Sequence, residues 1–344
     1  MQPAVSLKNN IPVFAAKLLD INTATLPIND YSKRYLHHLI THRFYYLQIY
    51  THVLDLVLQH SGKTAKQITL VDYGAGNGLL GIFAKFCGFK KIFICDMDAA
   101  FVHASKITSL ELNIKINDFI TGDVEILKAA LQKETIDAIT GTDVIEHIYN
   151  LDDFFKSLSE INRGMLTVFT TASNPSNFIK TRQLKKLQLK DEWHGSDPSD
   201  FLLAGAEKHE AFFEIRKIII EQNFPGLQRE NILALGKATR GMNQPDIITA
   251  VQAFLKTGNM PMPDKLSLNT CNPYSGSWTE RILTVQQYKD IYARHGFTLQ
   301  AKNGFYNAYS PGFKKYVNKI LNGMVKITGR FTAPFITLIG YKNT

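Results

Sequence analysis

Cysteine is scarce in this chain of 344 residues: Cys87, Cys95 and Cys271 are the three present, and none forms a CxxC pair. Isolated thiols in odd number suggest neither a disulfide framework nor a cysteine-rich zinc site, and they suit a reducing cytoplasm. Long apolar runs are missing as well. No stretch reaches the roughly 20 residues of a membrane-spanning helix. Met1 to Leu19 lacks the charged start and unbroken apolar segment of a secretory signal, so a cytoplasmic protein is expected. No internal repeat or low-complexity tract is visible. Acid is the scarcer charge, with 30 Asp and Glu against 39 Lys and Arg, a formal net charge of +9. Such a balance favours an anionic partner or substrate, whether nucleic acid, phosphorylated metabolite or membrane surface, without choosing among them. The densest basic stretch, Lys180 to Lys190, alternates cations with leucines as an amphipathic helix with a solvated face would.

What is present suffices for a large core. Hydrophobic residues make up 45% and aromatics 11%, enough for one core or a core with a substantial appendage. Aromatic and aliphatic residues from Tyr31 to Gln59 recur at helical spacing and predict a helical preface over residues 1–65. Then strand and helix patterns alternate. Strands are predicted at 67–73, 91–96, 117–121, 136–141 and 165–170, with helices at 79–87, 99–109 and 151–161 between them. The rhythm stops at 178–280, where helical patterns appear without a convincing strand. It resumes with a helix at 284–295, N-capped by Thr284 and stopped by Gly296, and with strands at 298–305 and 335–341. The pattern predicts an α/β fold, a doubly wound and mostly parallel sheet of seven strands, with its core in 66–177 and 281–344 and a helical insertion or lid at 178–280.

The first strand runs into Asp72-Tyr73-Gly74-Ala75-Gly76-Asn77-Gly78. Glycine at alternate positions lets backbone bend sharply and approach a ligand where a Cβ would collide, and such a turn lies at the carboxyl edge of the sheet. Asp96, with Met97 beside it, ends the second strand and is suited to the hydroxyls of a ribose. Asp123 and Val124 follow the third strand, where a carboxylate could meet an adenine amino group. The arrangement resembles the S-adenosylmethionine site of the class I methyltransferases, which have a Rossmann-like fold. That resemblance implies S-adenosylmethionine as cofactor and assigns Asp72 to its methionine end. A rival reading stays open: Gly76-Asn77-Gly78-Leu79-Leu80-Gly81 also satisfies the dinucleotide fingerprint of nicotinamide enzymes. In that register the fingerprint begins well past the strand end and leaves Asp72 without a role.

Directly after the fourth strand comes Thr142-Asp143-Val144-Ile145-Glu146-His147-Ile148. If these residues enter a helical turn, Asp143, Glu146 and His147 share one face and could hold Mg²⁺ or Mn²⁺. The segment is similar to the acid-x-x-Glu-His motif of the ubiquinone-biosynthesis O-methyltransferases and of the enzymes that methylate the terminal ribose of small RNAs, although it carries Asp where Glu is usual. The second resemblance implies a further histidine ligand, for which His194 and His209 are the candidates. Without metal, His147 is the candidate general base, with Glu146 beside it and Asp143 also near the cofactor. Trp193, His194, Tyr274, Trp278, Glu280 and Arg281 are the insertion residues to examine for substrate selection. The expected activity is methyl transfer to a hydroxyl or amine of a small, possibly anionic metabolite. RNA 2'-O-methylation with a metal-assisted site is the alternative, and an oxidoreductase using NAD ranks behind both.

Overall fold

The β-branched and aromatic runs predicted as strands pair into one sheet of seven: β1 (Thr69–Tyr73), β2 (Lys91–Asp96), β3 (Asp118–Thr121), β4 (Ala138–Thr142), β5 (Leu166–Thr171), β6 (Phe297–Asn303) and β7 (Ile336–Lys342). The computed structural model describes residues 7–162, 164–195, 210–262 and 269–342. The chain divides into two compact units, the first made of Met1–Ile145, Leu151–Thr171 and Thr284–Thr344, the second of Glu146–Asn150 and Ala172–Leu283.

In the first unit the strand order is β3-β2-β1-β4-β5-β7-β6. All neighbours are parallel until β7, which runs antiparallel to both β5 and β6. β1 and β5 are buried along their whole length. A strand with helices over both faces has no polar side to show, which is why these two read as continuous rather than alternating apolar runs. The order reverses beside β1, and at such a switch point the carboxyl ends of neighbouring strands leave a crevice.

The helices depart in places from the predicted pattern. The helical run from Tyr31 to Gln59 is two helices, Asp30–Thr41 and Arg43–Ser61, broken at His42 with φ −101° and ψ 19°. Neither glycine nor proline marks the break. Leu36 and Leu39 before it and Leu47, Val53 and Leu54 after it all enter one core, and the break lets both apolar faces reach it. A further helix, Phe313–Thr328, lies between β6 and β7 where none was expected.

The second unit is helical: Phe178–Trp193, Phe212–Asn223, Arg229–Ala238 and Gln244–Thr257. The last three join through Phe212, Ile215, Ile219, Leu235, Ile247 and Val251. Beside this core, Arg216 and Glu192 form an ion pair with both side chains buried. Arg216 Nε also donates to the Gly236 carbonyl at 2.8 Å, and Thr270 Oγ1 donates to Glu192 Oε2 at 2.7 Å. Removing one partner of a buried pair strands the other charge and costs about 3–5 kcal/mol, whereas replacing both by apolar groups can be nearly neutral. Arg216→Met should therefore lower stability by about that amount, and Glu192→Met/Arg216→Met should recover most of the loss in urea unfolding. Equal destabilisation of single and double variants would show that packing rather than charge holds this corner.

Candidate functional site

The end of β1 is bound to the end of β2 through the glycine turn. Gly74, Gly76 and Gly78 have φ of 62°, 53° and 73°, in the left-handed region that side chains disfavour. Gly74 is closed to any other residue, because a Cβ there would sit 2.2 Å from Val144 Cγ2. At Gly76 a Cβ would meet the ring of Tyr35 at 3.0 Å. The turn's backbone is then tied down by side chains. Gly76 N–H donates to Asp96 Oδ2 at 2.8 Å, and Ser105 Oγ donates to the Gly76 carbonyl at 2.8 Å. Asp96 Oδ1 accepts from Asp98 N–H at 2.9 Å. Asn77 is fully buried and its Nδ2 donates to the Ser32 carbonyl at 2.9 Å, while its Oδ1 has no hydrogen-bond partner.

Asp72 lies beneath the turn with 2% of its surface exposed. Its Oδ2 accepts from Gly81 N–H at 2.8 Å. Burial pushes this carboxyl up to about 7 against the pull of that hydrogen bond, and the nearby charge of Asp96 adds to the rise. Asp96 is also raised, mainly by burial, with the N–H groups of Asp98 and Gly76 opposing. Met97 follows it and is 71% exposed, an unusual position for a large apolar side chain at a strand end. Asp123 caps the helix Val124–Ala130, its Oδ1 accepting from Glu125 N–H at 3.0 Å and Ile126 N–H at 3.1 Å. Val124 is half-buried at the first position of that helix.

Tyrosines from the N-terminal helices, within the run whose periodicity predicts a helix, complete this side. Tyr35 stacks with Tyr31 at 6.5 Å and meets Phe101 edge-on at 5.7 Å. Burial, and after it the charge of Asp143, holds Tyr46 up at about 12; Tyr35 and Tyr45 lie above their ordinary range for the same reasons, with neighbouring tyrosines adding. All three are thus neutral phenols. A repeated tyrosine at positions 35, 45 and 46 was the available signal, but helical periodicity alone does not tell a core ring from one over a crevice.

The fourth-strand motif does not form a helical turn. Asp143 has φ 51°, a left-handed residue, so the helical register that would have put Asp143, Glu146 and His147 on one face is broken at its first member. Among the described residues no group of three or more His, Cys, Asp or Glu is arranged to hold a metal ion. The described residues therefore do not support the Mg²⁺ or Mn²⁺ expectation. Glu146 is buried, with Oε1 accepting from Ala172 N–H at 3.2 Å and its carbonyl accepting from Arg281 N–H at 3.1 Å. His194 is the exposed C-cap of the helix Phe178–Trp193, and His209 lies outside the described residues.

In the second unit His147 is held by Trp278. His147 Nδ1 is 2.8 Å from the Trp278 carbonyl, and Trp278 N–H donates to the His147 carbonyl at 3.2 Å. A carbonyl only accepts, so Nδ1 carries a proton, and in the neutral ring the lone pair is then on Nε2. Trp278 is itself fixed: its Nε1 donates to the Tyr149 carbonyl at 3.0 Å, its ring stacks on Tyr149 at 5.8 Å, and the Arg281 guanidinium lies 4.4 Å over it. The Tyr149 hydroxyl in turn donates to Asp246. Glu280 accepts from Ser173 at 3.0 Å, and buried Gln188 Nε2 donates to Asn269 Oδ1 and to the carbonyls of Thr279 and Glu280. Trp193 packs on Phe213, while Tyr274 is exposed.

Residues 39–216 match the profile of a family described as a methyltransferase domain. Over 129 residues the chain is 26% identical to a ubiquinone biosynthesis O-methyltransferase of Pelagibacter ubique, covering 37% of this chain and 52% of that protein. Over 59 residues it is 44% identical to a ribosomal protein L11 methyltransferase of Acinetobacter baumannii, covering 17% of this chain and 19% of that one. The chain thus spans about half the length of the first relative and about a fifth of the second. A crystal structure of a Synechocystis magnesium protoporphyrin IX methyltransferase with bound S-adenosylhomocysteine aligns with 88% of this chain and 86% of its own, at 13% identity and a TM-score of 0.40.

The Asp72 carboxyl predicts a pH dependence of stability. It titrates near 7 in the folded protein and near 4 in an unfolded chain. A raised folded pKa means that the native state keeps a proton the unfolded chain has lost. Its contribution is complete below pH about 4, declines as pH rises toward 7 and levels off above that, for a total of about 4 kcal/mol at most. Asp72→Asn keeps an acceptor for Gly81 N–H and cannot ionise. Relative to the parent, the variant should gain stability between pH 5 and 8, read from denaturant midpoints. A constant difference across that range would mean that Asp72 titrates normally.

Proposed function

The chain belongs to this methyltransferase-domain family, matched over more than half its length, and from that premise we propose that it transfers a methyl group from S-adenosylmethionine to a hydroxyl or amine of a small metabolite. The observation that carries the reading is the closure of the glycine turn on Asp96, which leaves backbone where side chains would otherwise stand.

The residues present fit the cofactor. A Cβ at Gly74 or Gly76 would fill the cradle, and the buried Asn77 Oδ1 has no partner. Asp96 has acceptor capacity beyond its two backbone bonds for a ribose diol. Met97 and Val124 offer apolar surface to an adenine, whose amino group suits the second oxygen of Asp123. Asp72, whose burial disfavours its charge, would gain from a cation at the methionine end. When bound, the cofactor supplies an electrophilic methyl on a sulfonium. The chain's own work is to align, to exclude water and to move a proton.

His147 is the group for that proton. The Trp278 carbonyl orients its Nε2 lone pair, and once Nε2 takes the acceptor's hydroxyl proton, the same carbonyl stabilises the imidazolium through Nδ1–H. Glu146 acts as a positioning residue, bracing Ala172 and Arg281 through hydrogen bonds. Likeness to the ubiquinone-biosynthesis enzyme, though partial, supports an oxygen acceptor. The RNA reading drew on the net charge and on the fourth-strand motif; without support for a metal group, the charge alone favours it and it ranks behind the metabolite, and the family match leaves the nicotinamide reading without support.

Calorimetry with S-adenosylmethionine and with NAD separates the cofactors: the first should bind and the second should not, and Asp96→Ala should weaken S-adenosylmethionine at least about tenfold, as the loss of a charge-assisted hydrogen bond requires. An unchanged affinity would remove Asp96 from the site. Incubation of the chain with methyl-labelled cofactor and an extract of its own cell should yield one labelled small product. With that acceptor, His147→Ala should lower kcat by roughly 10²–10⁴-fold at unchanged cofactor affinity; full activity in the variant would exclude His147 as the base.

A further inference from the structure

The helix Phe313–Thr328 presents polar side chains inward and apolar side chains outward. Its inner side is anchored by asparagines: Asn318 Nδ2 donates to the Asn307 carbonyl and to Ser310 Oγ, while Asn322 accepts from Tyr306 N–H and donates to the Tyr306 carbonyl. Val325 is the one side chain of the helix that is buried. Outside lie Phe313, Tyr316, Val317, Ile320, Met324 and Ile327, with Phe313 80% and Ile327 86% exposed. At 3.6 residues per turn these six fall within an arc of about 100°, the width of the stripe with which a surface helix ordinarily meets its core. Here that stripe points away from the unit that carries it.

Charge identifies what would cover it. No Asp or Glu follows Asp290, while Arg294, Lys302, Lys314, Lys315, Lys319, Lys326, Arg330 and Lys342 do. This stretch thus carries a net charge of +8 against +9 for the whole chain, and five of its cations lie within or just after the helix. Lys315, Lys319 and Lys326 share one flank of the apolar arc, where long side chains can reach past it to a charged layer. A cleft of about 260 Å³ at the C-terminal end of the helix is lined by Lys302, Asn303, Thr328, Arg330 and Phe331, with no acid among them. A second copy of the chain would bring the same positive charge and be repelled. Among the described residues no helix is long and apolar enough to cross a membrane, so the apolar face lies along a surface rather than through it.

We propose that the helix Phe313–Thr328 docks on an anionic lipid bilayer, its apolar face among the acyl chains and its lysines among headgroup phosphates. Flotation of the full chain tests this with vesicles of phosphatidylcholine containing phosphatidylglycerol and with vesicles of phosphatidylcholine alone. The chain should float with the anionic vesicles at least about tenfold more than with the neutral ones, and high salt should reduce the difference. Ile320→Glu/Ile327→Glu should abolish flotation, and Lys315→Glu/Lys319→Glu, which touches no core side chain, should reduce it to the neutral-vesicle level. A chain that sinks with both vesicles, or variants that float like the parent, would overturn the proposal. So would a dimer in sedimentation that Ile320→Glu/Ile327→Glu dissociates, since the face would then belong to a second copy.

Discussion

The hydrogen bond from Gly76 N–H to Asp96 Oδ2 is the constraint on which the crevice depends. It exists because β1 and β2 are parallel neighbours in register, with Tyr73 opposite Cys95, so both strands end at the same edge. The bond holds the glycine turn down while Ser105 grips the Gly76 carbonyl from the next helix. Backbone that would otherwise need water is satisfied by side chains. Positive φ at Gly74 and the closeness of Val144 make the turn intolerant of any side chain there.

Beneath the turn a carboxyl group is buried at a cost. Asp72 accepts one N–H, from Gly81, and burial outweighs that bond and raises its pKa. A buried acid with a raised pKa stores electrostatic free energy that a cation can release. Tyr35, Tyr45 and Tyr46 on the same unit are half-buried, and desolvation keeps them neutral. This side of the unit therefore combines aromatic surface with carboxylates, the chemistry that a cationic and partly aromatic cofactor needs.

In the second unit the imidazole of His147 is held by a main-chain carbonyl rather than by an acid. A carbonyl fixes the tautomer of the neutral ring without adding negative charge, which leaves Nε2 as its acceptor. The stack of Arg281, Trp278 and Tyr149 holds that carbonyl in place. Each of these residues is large and ordinary by composition, and its role follows from its neighbours.

All seven strands, the glycine turn and the strand-end acids Asp96 and Asp123 were legible from the chain, because they rest on local properties: β-branched runs, glycine spacing and the end of an apolar segment. Local pattern could not show that His42 breaks a continuous apolar period, since that break serves a distant core. Nor could it show that Asp143 turns left-handed and parts the Asp143, Glu146 and His147 register, or that Tyr35 leans on Gly76 from forty residues away in sequence. The helix Phe313–Thr328 escaped for a related reason, as its polar side is the one that packs. Sequence determines which backbone can bend and which segments must be buried. Tertiary structure decides which side chain meets which, because hydrogen-bond partners and dielectric surroundings are properties of the folded neighbourhood and of no single segment.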